Sequence, residues 1–203
     1  MARIALVGAS GNIGSCVLRE ALSRSHQVVG IVRNTEKLTA QPGLTIAKAD
    51  LADPASVAQA AKGADALVVS LRWSDNAAQV MEAARLAGIS RVLVVVGAGS
   101  LEASPGVRVL DTPEFPAAWR PGAEGAARAL ASFRNEKQLD WVAFSPSWTI
   151  APGERTNKFR MGGDQLLRDA AGESRISRED FAVAIVNEVE AKQYHRQRVT
   201  VGY

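Results

Sequence analysis

The stretch Ile4-Ala5-Leu6-Val7-Gly8-Ala9-Ser10-Gly11-Asn12-Ile13-Gly14 decides how the rest of the chain is read. An apolar run ends in three glycines spaced G-x-x-G-x-x-G. A segment follows with Ile13, Val17, Leu18, Ala21 and Leu22 on one helical face. That order predicts a buried strand, a tight turn and an amphipathic helix. Each glycine has its own reason: Gly8 permits the sharp exit from the strand, Gly11 leaves a pyrophosphate room to approach the backbone, and Gly14 lets the helix lie close to the sheet. Backbone amides at the helix start then face an anion. No Gly-Lys-Ser/Thr follows, which excludes a Walker loop. Asn12 stands where the G-x-S-x-G turn of a hydrolase needs its last glycine.

Outward from this turn the pattern repeats. Apolar runs at Val28 to Val32, Leu44 to Ala49, Ala66 to Leu71 and Val92 to Val96 read as buried parallel strands. Ala77, Val80, Met81, Ala84 and Ala87 keep helical spacing between two of them. A helix is expected from about Ala123 to Glu136, a sixth strand at Trp141 to Ser145, and a last one at Arg198 to Gly202. Ser177-Arg178-Glu179-Asp180 carries a capping signature, and Phe181, Ile185 and Val189 mark the buried face of the helix it opens. The fold class is therefore α/β: a Rossmann-type doubly wound parallel sheet in three α/β/α layers, forming a single domain over 1–203. Two stretches break the alternation, 99–122 with Pro105, Pro113, Pro116 and Pro121, and 148–175 with Pro152 and four glycines. They read either as irregular connections or as covers over the carboxyl ends of the strands, where such sheets bind ligands.

Composition narrows the chemistry. The 203 residues are 47% apolar and 22% charged, which excludes a disordered or fibrous chain. Runs such as Val92 to Ala98 fall far short of the roughly 18 residues a membrane span needs, and no signal-peptide core follows Met1-Ala2-Arg3, so a cytoplasmic location is expected. The 24 basic and 21 acidic residues are scattered and leave a net charge of +3, so nucleic acid is not an expected partner. The densest basic cluster, His195-Arg196-Gln197-Arg198, reads as a solvated or anion-pairing surface. Cys16 falls on the apolar side of the first helix and reads as core; with only His26 and His195 beside it, no metal site is expected. Glu179-Asp180 belong to a helix start and read as capping and dipole complement.

The end of the second strand distinguishes the two nicotinamide cofactors. A carboxylate there accepts from a ribose 2′-hydroxyl, whereas a cation pairs with a 2′-phosphate. No acid occurs between Ala21 and Thr35, and the strand ends Ile31-Val32-Arg33-Asn34. Arg33 is thus expected to favour NADP(H) over NAD(H). Asp50-Leu51, closing the third strand, is expected beside the adenine, although Asp50 is equally placed to cap the helix starting near Pro54. Ser70-Leu71 is expected beside the adjoining ribose and phosphates.

The loop from Gly8 to Gly14 together with Ile31-Val32-Arg33-Asn34 resembles the atypical relatives of the short-chain dehydrogenases, which include NmrA-like and biliverdin reductase B-like proteins. Gly97-Ala98-Gly99-Ser100-Leu101, Asp111-Thr112-Pro113, Phe144-Ser145-Pro146, Ala151-Pro152-Gly153-Glu154-Arg155-Thr156, Gly163-Asp164 and Arg198-Val199-Thr200-Val201-Gly202 resemble the NADH-flavin reductases within that group. The resemblance covers nearly the whole chain. It implies one NAD(P)H-binding domain and reduction of a flavin or quinone-like small molecule, with flavin as a substrate.

The chain departs from the dehydrogenase pattern in one respect. Those enzymes use Tyr-x-x-x-Lys to protonate an alkoxide, whereas Tyr194 is followed four residues later by Arg198 and Tyr203 is the last residue. Ser100 occupies the place of the family's catalytic serine. Hydride transfer to a flavin needs only two stacked rings, and on that reading the nicotinamide lies beside Gly97, Ser145 and Pro146. Trp119 and Trp148 are expected to cover the acceptor or simply to pack, Trp73 is a third lid residue, and Arg72 is placed to meet a flavin phosphate or to stay in solvent. Two other readings remain: an NADP(H)-binding redox sensor of NmrA-like type, and a sugar-nucleotide epimerase or dehydratase, which needs a general base the chain does not offer.

Overall fold

Alternating apolar runs and amphipathic segments build the expected order in the computed structural model, which describes the whole chain, Met1–Tyr203. Strand β1 (Arg3–Val7) leads into α1 (Gly14–Ser23), followed by β2 (Gln27–Val32), β3 (Leu44–Lys48), α2 (Pro54–Ala61), β4 (Ala66–Val69), α3 (Ala77–Ala87) and β5 (Arg91–Val95). A short hairpin, β6 (Glu102–Ser104) and β7 (Val107–Arg108), precedes α4 (Arg120–Asn135) and β8 (Asp140–Pro146). The chain closes through β9 (Thr149–Ala151), β10 (Arg160–Gly162), β11 (Arg175–Ser177), α5 (Arg178–Ala191) and β12 (Gln197–Gly202).

Eight strands form one sheet in the order β10-β12-β8-β5-β4-β1-β2-β3. From β1 the chain winds outward through β2 and β3, then returns to place β4 on the other side of β1. The crevice between the carboxyl ends of β1 and β4 is therefore the topological switch point, where an open α/β sheet admits a ligand.

Side chains alternate across the strands and feed two cores. Ala5 and Val7 join a cluster of 26 buried residues under α2, α3 and α4, whereas Ile4 and Leu6 join one of 24 under α1 and α5. Cys16 is buried in the second cluster, and that burial pushes its thiol pKa up, as expected of a packed rather than a reactive thiol. Ser177 caps α5, its Oγ accepting from the Asp180 amide at 3.0 Å. Asp53, not Asp50, caps α2 by accepting from the Ser56 amide. Asp50 instead closes a local turn to the Ala52 amide at 3.1 Å.

Two features depart from the sequence reading, and in the basic cluster before the last strand, which pairs with carboxylates as expected, only the burial of Arg198 does. The stretches 99–122 and 148–175 are built rather than irregular: β6 pairs with β7, β9 runs parallel to β11, and β10 adds an antiparallel edge to β12, so the sheet is mostly rather than wholly parallel. These strands are two or three residues long, too short for a periodicity to announce them, and β9, β10 and β11 pair with distant partners. Helix α4 starts at Arg120, with Pro121 in its first turn, where a missing N–H costs nothing. The basic cluster before the last strand is absorbed by ion pairs and carbonyls. His195 meets Asp140 at 2.9 Å, Arg196 donates to the Lys137 carbonyl, and Arg198 is buried against Asp164. No helix is long and apolar enough to cross a membrane.

Candidate functional site

The glycine turn sits at the switch point and is made of backbone. Gly8 holds φ +83°, and a Cβ there would overlap the Ser70 carbonyl; a Cβ on Gly14 would overlap the Gly8 carbonyl. These two residues let β1, β4 and α1 converge within backbone contact distance. The Gly11 amide donates to the Gly8 carbonyl at 2.9 Å, while the amides of Asn12 and Ile13 donate to no group of the chain. Unpaired amides at a helix start are the donors a pyrophosphate requires.

Two adjoining chambers open from this turn. One, of about 550 Å³, is walled by Gly8, Ser10, Gly11, Arg33, Asp50, Leu51, Ala52 and the start of α3. Arg33 is exposed and forms no ion pair, so its guanidinium is available to an anionic ligand. The other chamber, of about 820 Å³, extends over Val95 to Gly99 and Pro146 to Ile150 towards Phe115, Trp119 and α4. Gly11, Ser70, Leu71 and Arg72 line both, so the chambers meet at the end of β4.

An aromatic group covers the larger chamber. The Trp148 ring packs edge-on against Phe115, with centroids 5.5 Å apart, and Trp119 leans on Trp148 at 6.3 Å. Trp119 remains 60% exposed. An exposed indole at the mouth of an apolar cavity presents a flat face to a planar ligand.

The expected residues divide as follows. Gly8, Ser10, Gly11, Arg33, Asp50, Leu51, Ser70 and Leu71 line the smaller chamber; Asn12, Ile13, Gly97, Pro146, Trp73, Trp119 and Trp148 line the larger. Ala9, Gly14 and Ser145 line neither. Ala9 is buried in the α1 core, and Ser145, wholly buried, donates to the Gly97 carbonyl at 3.2 Å and so steadies the wall from behind. Trp73 is a wall and not a lid: it is 4% exposed, donates through Nε1 to the Val95 carbonyl at 2.6 Å, and meets Phe133 edge-on.

Ser100 is the clearest correction. It lines neither chamber; its hydroxyl accepts from Arg198 Nη1 at 2.9 Å, and the same nitrogen takes the Ser100 carbonyl at 3.0 Å. Burial pulls the Arg198 pKa down, against the opposing pull of Asp164, and this arginine ties 99–122 to 148–175 through Ser100 and Asp164. Ser100 is thus a tether. Phe115, Ser147, Thr149, Ile150, Asn76 and Gln79 escaped the sequence reading although they line the chambers. The prolines flanking Phe115 and the apolar Trp148-Thr149-Ile150 run were the available signals.

The model of the NAD(P)H-binding family matches residues 8–192, beginning on the first glycine of the turn. The chain belongs to the NAD(P)H-binding family. Solved structures agree along its whole length. A "putative exported protein" of Burkholderia pseudomallei is 40% identical, with 100% of both chains covered and a TM-score of 0.92. A "putative epimerase" of Bacteroides thetaiotaomicron is 37% identical over 100% of this chain and 97% of that one, at 0.95. A "putative NADH-flavin reductase" of Streptococcus pneumoniae is 28% identical over 100% of this chain and 99% of that one, at 0.87. Membership of the NAD(P)H-binding family accords with the Cβ-free cradle and the two unpaired amides at its centre.

Proposed function

We propose that the protein is an NADPH-preferring reductase that delivers a hydride to a flavin or quinone-like acceptor beneath Phe115, Trp119 and Trp148. One observation carries the reading. The glycine turn opens into two chambers that meet at Ser70 to Arg72, one with an unpaired arginine at the end of β2 and the other aromatic. When bound, the dinucleotide supplies the hydride. The chain's own residues do the rest: the Asn12 and Ile13 amides hold phosphate oxygens, and Arg33 pairs with the 2′-phosphate. Gly97 and Pro146 bound the space for the nicotinamide. The tryptophans stack the acceptor and exclude water.

The larger chamber contains no Asp, Glu, His, Cys, Lys or Tyr. An epimerase, the word attached to the Bacteroides relative, needs a general base in contact with the substrate, and the lining offers none. A flavin or quinone ring accepts a hydride without one. The test is the absorbance decay of NADPH, and separately of NADH, with purified protein and FMN, riboflavin or a small quinone. Saturable oxidation with a lower KM for NADPH is expected. Tight NADPH binding without reduction of any acceptor would instead favour a redox sensor of the NmrA-like kind.

A further inference from the structure

The lining of the larger chamber has one charged side chain, Arg72, and no carboxylate; Asp50 lines the smaller chamber, which Arg72 also borders, but forms no ion pair with it. Arg72 forms no ion pair or side-chain hydrogen bond, and the nearest acid in the sequence, Asp75, is taken by Arg128 at 2.7 Å. Its backbone, in contrast, is held firmly. The preceding Ser70 amide donates to the Val7 carbonyl at 3.0 Å, and the following Trp73 is buried and bonded to Val95. Helix α4 presses on the same turn, since a Cβ on Gly125 would lie 2.5 Å from the Trp73 carbonyl. A cation without an ion pair, set between anchored neighbours at the edge of an apolar chamber, favours negative charge that develops next to it.

We propose that Arg72 is a catalytic residue of the acceptor site and restricts the substrate to acceptors whose hydride adduct is a stabilised anion. The proposal rests on the reductase reading. In the step, the acceptor ring gains one hydrogen nucleus and two electrons from the reduced nicotinamide, which becomes its oxidised cation, and the adduct carries one negative charge. A flavin or a quinone spreads that charge over its ring nitrogens and oxygens, so no proton need arrive during transfer. A simple aldehyde or ketone would become an alkoxide, for which this lining has no titrating acid. The Arg72 guanidinium balances the charge of the adduct as a cation.

The test pairs Arg72→Met, which keeps length and removes charge, with Arg72→Lys, using riboflavin, FMN and a small quinone as acceptors. Arg72 is exposed and unpaired, so both variants should retain the wild-type melting temperature. The expected result is a kcat loss of at least about tenfold for Arg72→Met with all three acceptors, partly restored in Arg72→Lys, and an unchanged NADPH Kd. A second readout needs no turnover: under anaerobic conditions, Arg72→Met loaded with NADP+ should lose affinity for reduced anionic riboflavin at least about tenfold more than for oxidised riboflavin. A loss confined to FMN would overturn the proposal by making Arg72 a phosphate clamp. So would a raised NADPH Kd with unchanged kcat, which would assign the cation to the dinucleotide, or kinetics equal to wild type. A wild-type protein that transfers hydride from NAD(P)H to none of these acceptors overturns the reductase reading and this one with it.

Discussion

The two chambers are built by opposite means. The smaller is lined only by residues among the first 80, most of them at strand ends, and includes Gly8, where a Cβ would overlap the Ser70 carbonyl. The larger draws on side chains from segments far apart in the chain, among them Trp73, Phe115, Ala126 and Trp148. Backbone cradles tolerate few substitutions, because a Cβ meets an immovable carbonyl. Side-chain walls admit many, because a neighbour can repack. The glycine turn is thus held to one shape, whereas the wall of the larger chamber has room to repack.

The sharpest way to break this comparison is at Gly8. Gly8→Val should destabilise the chain by about 4 kcal/mol in urea unfolding, since it combines a positive φ with overlap on the Ser70 carbonyl. A variant folding with wild-type stability would show that the cradle can relax. Next comes Arg33→Ala, expected to weaken NADPH binding by about 2 kcal/mol while leaving NADH within twofold, as read by fluorescence titration. Equal losses for both would show that Arg33 does not read the 2′-phosphate.

Glu20 probes how the second half is held to the first. This buried carboxylate on α1 receives two hydrogen bonds from Arg155, each 2.7 Å, and pairs with Arg24. The Arg155 bonds lead in holding its pKa below the usual 4.5, with burial opposing and Arg24 adding to the effect. The depressed folded pKa means that stabilisation is complete above the unfolded value and is lost as pH falls through the folded one. Glu20→Gln should therefore cost about 1 kcal/mol at neutral pH. That difference from wild type should close as the solution is acidified below about pH 4. A difference independent of pH would point to lost packing instead. The smallest effect is expected at Ser100: Ser100→Ala should change kcat by less than about threefold, roughly 0.6 kcal/mol. A larger fall would return the hydroxyl to the chemistry.

Legibility follows the same division. The helix faces of α1 and α3, the strand runs and the capping of α5 by Ser177 all rest on neighbours within a few residues, and local pattern reports them. Asp50 shows the limit of that reading: it suited the cap of α2 in sequence, and the backbone path gave that place to Asp53. Trp73 and Trp119 show it again. In sequence both are candidate lid tryptophans, but one is locked to the Val95 carbonyl and the other stands open at the mouth of the chamber. The strand at β10 was invisible because its pairing with β12 supplies the order its own three residues lack.

By itself the sequence determined the layer order, the switch point and the glycine turn, because glycine spacing and apolar periodicity act over one turn or one strand. Tertiary structure alone decided that Ser100 ties down a connection while Arg72 stands unpaired on the wall of the larger chamber. Whether a polar side chain is spent or free depends on which distant groups the fold brings to it. For Ser100 that group is Arg198, nearly a hundred residues along the chain.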